Sequence, residues 1–286
     1  MSDSQTILCG FDGSDAAINA ALTAIRLAAG TNSEVELFRV ELPHDDGITV
    51  PDTLSDDATR HGVALSIVGA RDLDVIAALA ERIARDPPAL LVLGDRGRSE
   101  LRHLLIGRTT TGMVRLDLLP VLICRSETDR VIDGGFHNLL VPVDLSEASA
   151  AALRYAEAIR FEGGSIEVQH VIDSQLAPPY FPDSWSQLKQ ADAQGPLAEF
   201  VDRHTDRAAP TCRVDTGRPH EEIVRAAWAR NHDLIVMSRS GAGALERMLV
   251  GSVTERVIAN APCPVLVLPT GASDGADSKA PARAAS

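Results

Sequence analysis

Two stretches of the chain carry glycines at one spacing, each directly after a short apolar run. In the first, Leu90 to Leu93 lead into Gly94, with Gly97 after two intervening residues and Gly107 after a further nine. In the second, at a constant offset of 144 positions (Leu90 to Leu234), Leu234 to Met237 lead into Ser238, Arg239, Ser240, Gly241 and then, past nine residues, Gly251-Ser252. The chemistry this spacing suits is phosphate binding. Glycines let a backbone turn sharply or approach a ligand where a side chain would intrude. A helix opening at Gly251-Ser252 would offer unpaired N–H groups and the positive end of its dipole, with the Ser252 hydroxyl as a further donor. The plainer reading is that the glycines only make tight strand-to-helix turns. A pattern in which strand, spacing and helix all recur favours the phosphate reading.

The elements that must position these residues repeat as well. No gap separates the two copies between Leu90/Leu234 and Leu122/Leu266, and Thr110/Thr254, Pro120/Pro264 and Val121/Val265 are identical. Ile7 to Asp12 and Leu139 to Asp144 are short apolar runs closed by an Asp, followed by Ser14 and Ser146 as helix N-caps. The helix after Ser14 is expected to stop at Gly30, and the one after Ser146 at Gly163-Gly164. Strands are expected over Glu34 to Val40, Ser165 to Val171, Val63 to Val68 and Cys212 to Val214, and helices over Leu73 to Arg85 and Pro219 to Ala229. That order is an α/β fold: two tandem open parallel-sheet domains, Rossmann-like, with helices on both faces. Ligands in such sheets sit beyond the carboxyl ends of the strands, where the strand order reverses.

The second copy, with Glu255-Arg256-Val257 and Ala261-Pro262-Cys263-Pro264-Val265-Leu266-Val267 after its glycines, resembles the universal stress protein family. The family's nucleotide motif is G-x2-G-x9-G-S/T, and the resemblance spans residues 5 to 270 as two units. It implies an adenine nucleotide hydrolase-like fold and ATP, with Mg2+ as a companion ion, as ligand. In the second unit it implies Asp144 and the backbone of Val171 at the adenosine end, and Ser238, Ser240, Gly241, Gly251 and Ser252 around the phosphates. The equivalent set in the first unit is Asp12, Val40, Gly94, Gly97, Gly107 and Arg108. Arg108 departs from the family's Ser/Thr: its guanidinium either pairs with phosphate or fills the phosphates' space. Ser238 departs from the first glycine by one hydroxyl, an added donor or a clash. The second site is expected to be the more competent. The resemblance also implies that the last strands, Val121 to Cys124 and Val265 to Leu268, pair the two units as an intramolecular pseudo-dimer, and it leaves a homodimer open.

Composition bounds the rest. The chain has 286 residues, 45% of them hydrophobic, enough for two domain cores. A net charge of −13 argues against nucleic acid as a partner. The four cysteines, Cys9, Cys124, Cys212 and Cys263, lie in or beside expected strands at no metal-binding spacing, which suits buried thiols in a reducing compartment. No apolar run of ~20 residues would span a membrane and no signal pattern opens the chain, so no membrane partner and a cytoplasmic location are expected. The expected domains are residues 1–128 and 137–270, joined by a polar linker and followed by a disordered tail, 271–286. Residues 41–61 read as a solvated loop. The segment from Ala177 to Trp185 reads as a proline-rich aromatic loop, either a lid or partner contact or one whose rings pack on their own domain.

Other chemistry is faint. His103 and His220 have no i, i+4 partner of the zinc hydrolase kind, and His44-Asp45-Asp46 suits a solvated turn better than a cation site. No Lys sits in a Walker-type phosphate loop, so fast ATP hydrolysis has no visible machinery. The expectation is a stress-response regulator that binds nucleotide. Two alternatives stay open: a nucleotide-free scaffold presenting a protein-interaction surface, and a slow ATPase.

Overall fold

The structure, a computed structural model, describes residues 5–41, 49–72, 74–96, 106–125, 135–176, 183–205, 210–240 and 250–270. The chain divides into two compact units between Gly135 and Phe136. The first contains β1 (Thr6–Gly10), α1 (Asp15–Thr31), β2 (Glu34–Glu41), α2 (Asp52–His61), β3 (Leu65–Arg71), α3 (Val75–Arg85), β4 (Leu90–Gly94), α4 (Arg108–Leu116) and β5 (Val121–Cys124). Its strands lie in the order β3-β2-β1-β4-β5, all parallel. The second contains β6 (Phe136–Val143), α5 (Glu147–Ile159), β7 (Arg160–Asp173), a short 3-10 turn (Ser174–Leu176), α6 (Asp183–His204), β8 (Thr211–Gly217), α7 (Pro219–Ala229), β9 (Leu234–Ser238), α8 (Ser252–Asn260) and β10 (Val265–Leu268). Its order, β8-β7-β6-β9-β10, is the same topology, again parallel. The two-unit α/β fold read from the repeat is therefore the fold observed.

Each sheet is apolar on both faces because helices cover both, so its central strands read as unbroken hydrophobic runs. Leu91, Val92, Leu139, Leu140, Ile235 and Val236 are fully buried. A Leu or Ile there contributes about 1.5–3 kcal/mol by leaving water. The helix after the first strand of each unit turns an alanine face to its core: Ala16, Ala17, Ala20, Ala21, Ala24 and Ala28 in α1, and Ala150, Ala151, Ala152 and Ala156 in α5. Small side chains let these helices lie close to the carboxyl ends of the strands. Both start as expected, with the Ser14 hydroxyl accepting from Ala17 N–H and that of Ser146 from Ser149 N–H.

Several boundaries differ from the sequence reading. Helix α1 runs through Gly30 and ends at Asn32, whose φ of 49° makes it the left-handed cap. Helix α5 stops at Ile159, and Gly163-Gly164 lie inside β7. They serve a bulge there: β6 advances from Phe136 to Asn138 while β7 advances from Arg160 to Ser165, and Gly163 adopts φ +78°. Within the expected loop 41–61, residues 52–61 form α2. Only Leu54 and Ala58 give it an apolar face, too short a signal to stand out among its acids. Its buried Asp57 is held by Arg60 at 2.5 Å and lies 3.5 Å from Arg26 of α1. Asp183 to Trp185 begin α6 rather than lie in a loop, while residues 177–182 and the side chains of 183–188 lie outside the described residues, as do His44 to Asp46, His103, the linker 126–134 and the tail 271–286.

Candidate functional site

In each unit the strand order reverses between the first strand and the fourth, β1 and β4 in one and β6 and β9 in the other. The loops leaving these strands are where a parallel α/β sheet opens a crevice. The loop after β1 is built on Asp12, whose Oδ1 accepts the Ser14 N–H at 3.0 Å across Gly13 at φ 75°. The loop after β6 repeats it: Asp144 Oδ1 accepts the Ser146 N–H at 3.2 Å, across Leu145 at φ 64°. An Asp two residues before a helix cap makes this turn locally, which is why the motif was legible. Val40 and Val171 stand level with Asp12 and Asp144, because the neighbouring strands pair Gly10 with Phe38 and Val143 with His170.

The glycine loops share a second frame. Asp95 N–H donates to Cys124 C=O at 2.7 Å and Gly107 N–H returns to Asp95 C=O at 2.8 Å. The Thr110 hydroxyl, one turn into α4, donates to Gly94 C=O at 2.8 Å. In the second unit Arg239 N–H donates to Leu268 C=O at 2.9 Å, Gly251 N–H to Arg239 C=O at 3.0 Å, and the Thr254 hydroxyl to Ser238 C=O at 3.2 Å. The loop is cinched at the same three points in both copies. It closes onto α4 at Gly107 and onto α8 at Gly251, N-caps without a side-chain cap bond. Thr110 and Thr254 were identical across the repeat, and that identity was the signal for their role.

The structure thus gathers Asp12, Val40, Gly94, Gly107 and Arg108 at the carboxyl edge of one sheet. It gathers Asp144, Val171, Ser238, Ser240, Gly251 and Ser252 at that of the other. Gly97 and Gly241 lie outside the described residues. Within the first unit the two loops touch, the Ser14 hydroxyl lying 3.5 Å from Arg96 C=O. The glycines have different reasons. A Cβ on Gly94 would stand 2.8 Å from Ala16 Cβ and 2.9 Å from its carbonyl carbon, so this glycine admits α1. A Cβ on Gly251 would meet Arg239 C=O at 3.3 Å, which ties that glycine to loop closure.

Two side chains that the sequence reading passed over differ in charge between the units. Asp95, 4% exposed, has a buried Oδ1 with no hydrogen-bond partner among the described residues and an Oδ2 3.4 Å from Arg96 Nε. At the same position Arg239, 1% exposed, donates from Nε and Nη2 to the Thr270 hydroxyl at 3.2 and 2.9 Å. One loop therefore buries a carboxylate and the other a guanidinium. The helix starts differ too, with exposed Arg108 opening α4 and exposed Ser252 opening α8. A cation at the positive end of a helix is unfavourable, by about 0.3–1 kcal/mol. Cys9 and Cys124 sit beneath the first site; burial pushes both thiols up, Cys124 to about 12. They stay un-ionised at neutral pH and are poor nucleophiles.

Comparison with known proteins agrees with this geometry. The model of the universal stress protein family matches twice, over residues 4–125 and 135–269. A universal stress protein of Methanocaldococcus jannaschii is 34% identical over 146 residues, 46% of this chain and 82% of that protein. One of Mycobacterium tuberculosis is 30% identical over 185 residues, 62% of this chain and 61% of its own length. The crystal structure of a universal stress protein from Archaeoglobus fulgidus has a TM-score of 0.67 at 20% identity, covering 94% of this chain and 100% of its own, a likeness of fold. Among the described residues no helix is long and apolar enough to cross a membrane. The doubled loop frame and the doubled match lead to one conclusion: this chain belongs to the universal stress protein family.

Proposed function

We propose that this protein is a nucleotide-binding regulator of the stress response, working in the cytoplasm, that holds ATP with Mg2+ in its second unit. The observation that carries the reading is the open start of α8. Gly251 caps it without a side-chain bond, Ser252 is exposed at its first position, and the loop behind it is cinched to β9. An uncapped helix N-terminus beyond a parallel sheet, with a hydroxyl beside it, is suited to phosphate. Gly241, Gly251 and Ser252 would hold the phosphates, with Ser238 and Ser240 at the loop's start and Asp144 and the Val171 backbone at the adenosine. In the first unit the buried carboxylate of Asp95 stands against polyphosphate and Arg108 replaces the Ser hydroxyl at the helix start, so Asp12, Val40, Gly94, Gly97, Gly107 and Arg108 form the weaker site. The functional domains are residues 1–128 and 137–270, and their last strands, β5 and β10, pair them as a pseudo-dimer. A nucleotide-free scaffold is the second reading; Gly94 favours it, since packing alone explains that glycine.

Mass spectrometry of the denatured protein should release adenine nucleotide carried through purification, and ATP with Mg2+ should raise the melting temperature. Ser252→Ala should weaken binding by about 1–2 kcal/mol in titration calorimetry, the worth of one hydrogen bond to a charged group. No nucleotide in the extract and no thermal shift would leave the scaffold reading in place.

A further inference from the structure

The loop after β6 holds a strained backbone where the loop after β1 holds none. Gly13 takes φ 75° in the first unit, a region open to glycine, whereas Leu145 takes φ 64° in the second. A bulky side chain is disfavoured there. Such a residue persists only where its surroundings over-determine it, and positions of this kind gather at functional sites. Side-chain bonds hold the Leu145 turn from both ends. On its far side the Ser146 N–H and hydroxyl both donate to Asp144 Oδ1, at 3.2 and 2.5 Å. On its near side the ring of His170 reaches the residue before Asp144, with Nδ1 2.9 Å from Val143 C=O.

That second bond fixes the state of the ring. A carbonyl oxygen only accepts, so Nδ1 carries the hydrogen, and neutral His170 is the Nδ1–H tautomer. The ring belongs to β7, one residue before Val171, and His170 pairs in register with Val143 itself. It therefore ties the strand that bears Val171 to the point where the Asp144 turn begins. In the first unit Arg39 precedes Val40 in the same way, but its guanidinium engages Glu41 of its own strand at 2.5 Å. Among the described residues, the clamp accompanies the strained turn and not the glycine one.

We propose, on the nucleotide reading given above, that His170 is a positioning residue of the second site. By donating to Val143 C=O it keeps the Leu145 turn closed and holds the exposed Asp144 carboxylate where the adenosine of a bound nucleotide meets it. His170 acts through Asp144 and not by touching the ligand. The first unit, with Gly13 in its turn and Arg39 turned to Glu41, leaves Asp12 without this clamp.

Two substitutions separate the bond from the bulk of the ring. In His170→Asn the amide nitrogen stands where Nδ1 stands and keeps the donor to Val143 C=O. In His170→Gln it reaches the Nε2 position instead, and the donor is lost. Titration of the full chain with ATP and Mg2+ should find His170→Asn within about two-fold of the parent and His170→Gln about ten-fold weaker. In an Asp144→Ala background His170→Gln should change the affinity by less than about two-fold, because its effect runs through Asp144. Two readouts need no nucleotide. In alkaline buffer, nitrogen NMR of the ring should show the Nδ1–H tautomer, and the Ser146 amide should exchange faster in His170→Gln than in the parent or His170→Asn. A parent chain that binds no ATP removes the nucleotide reading and this role with it, while a Ser146 amide loosened by His170→Gln would still show the clamp. An Nε2–H tautomer, equal Ser146 exchange in all three chains, or equal ATP affinity of the Asn and Gln variants overturns the proposal.

Discussion

The two units solve one folding problem with different side chains. Their loop frames agree bond for bond: Asp95 to Cys124, Gly107 to Asp95 and Thr110 to Gly94 in one, Arg239 to Leu268, Gly251 to Arg239 and Thr254 to Ser238 in the other. All these bonds use a main-chain group on at least one side, so they survive substitution around them. What changes is what the frame presents. Gly13, Asp95 and Arg108 stand in the first unit where Leu145, Arg239 and Ser252 stand in the second. Backbone geometry is common property of the repeat, and ligand chemistry belongs to each copy.

The largest contrast open to test lies beneath the sheets. Glu36 of β2 and Glu167 of β7 occupy equivalent, buried positions with different partners. Glu36 is held bidentately by Arg82 of α3, both bonds at 2.7 Å. Glu167 has Arg230 at 2.6 Å, Arg213 at 3.6 Å and His232 at 3.9 Å. Arg82→Met strands the Glu36 carboxylate and should cost the first unit about 3–5 kcal/mol. Arg230→Met should cost the second unit less, because Arg213 and His232 remain beside Glu167. Urea denaturation followed by unit-resolved hydrogen exchange measures both. Equal losses would mean that the extra partners contribute nothing.

Next is the position at the end of the fourth strand. Gly94→Val would drive a side chain into the α1 backbone and should destabilise the first unit by about 3 kcal/mol. Ser238→Ala loses one hydroxyl bond to Ser240 C=O, 3.2 Å long, and should cost about 1 kcal/mol. If Gly94→Val instead leaves stability intact and changes only ligand binding, Gly94 faces the crevice and not the helix.

A pH dependence should separate the units. Burial holds the pKa of His232 below its ordinary 6.5, with Glu167 pulling the other way. The unfolded chain therefore takes up this proton first as pH falls. The His232 contribution is complete above 6.5 and is lost as the pH drops below it toward the lowered folded value. At that position the first unit has Pro88, with nothing to titrate. The protection of β9 amides, taken relative to intrinsic exchange at each pH, should fall as the pH drops below about 6.5, and His232→Gln should flatten that slope. A slope unchanged by the substitution would assign the effect elsewhere.

The smallest effect concerns Leu145. A left-handed backbone costs a branched residue about 1 kcal/mol, and the first unit avoids this with Gly13. Leu145→Asn should raise the midpoint of the second unit by a few tenths of a kcal/mol, since Asn tolerates this region. A lowered midpoint would show that the Leu145 side chain contributes packing worth more than the strain.

The sequence by itself determined whatever is decided within a few residues or by strict repetition. Ser14 and Ser146 cap helices through bonds to residues three positions on. The strands Leu90–Gly94 and Leu234–Ser238 are apolar without a break because both faces are covered. The doubled glycine pattern located both loops. The tertiary structure alone decided what depends on distant partners. Helix α2 has an apolar face of two residues, and its buried Asp57 lies beside Arg26 of α1, a neighbour set by the fold. Gly163-Gly164 looked like a helix stop, but a neighbouring strand of different length made them a bulge. Gly94 read from the sequence only as part of the glycine loop, and its packing against α1 came from the fold. Asp95 and Arg239 were unremarked in the sequence, because a buried charge is recognised only when the atoms that bury it, and those that do or do not bond it, have been brought together from elsewhere in the chain.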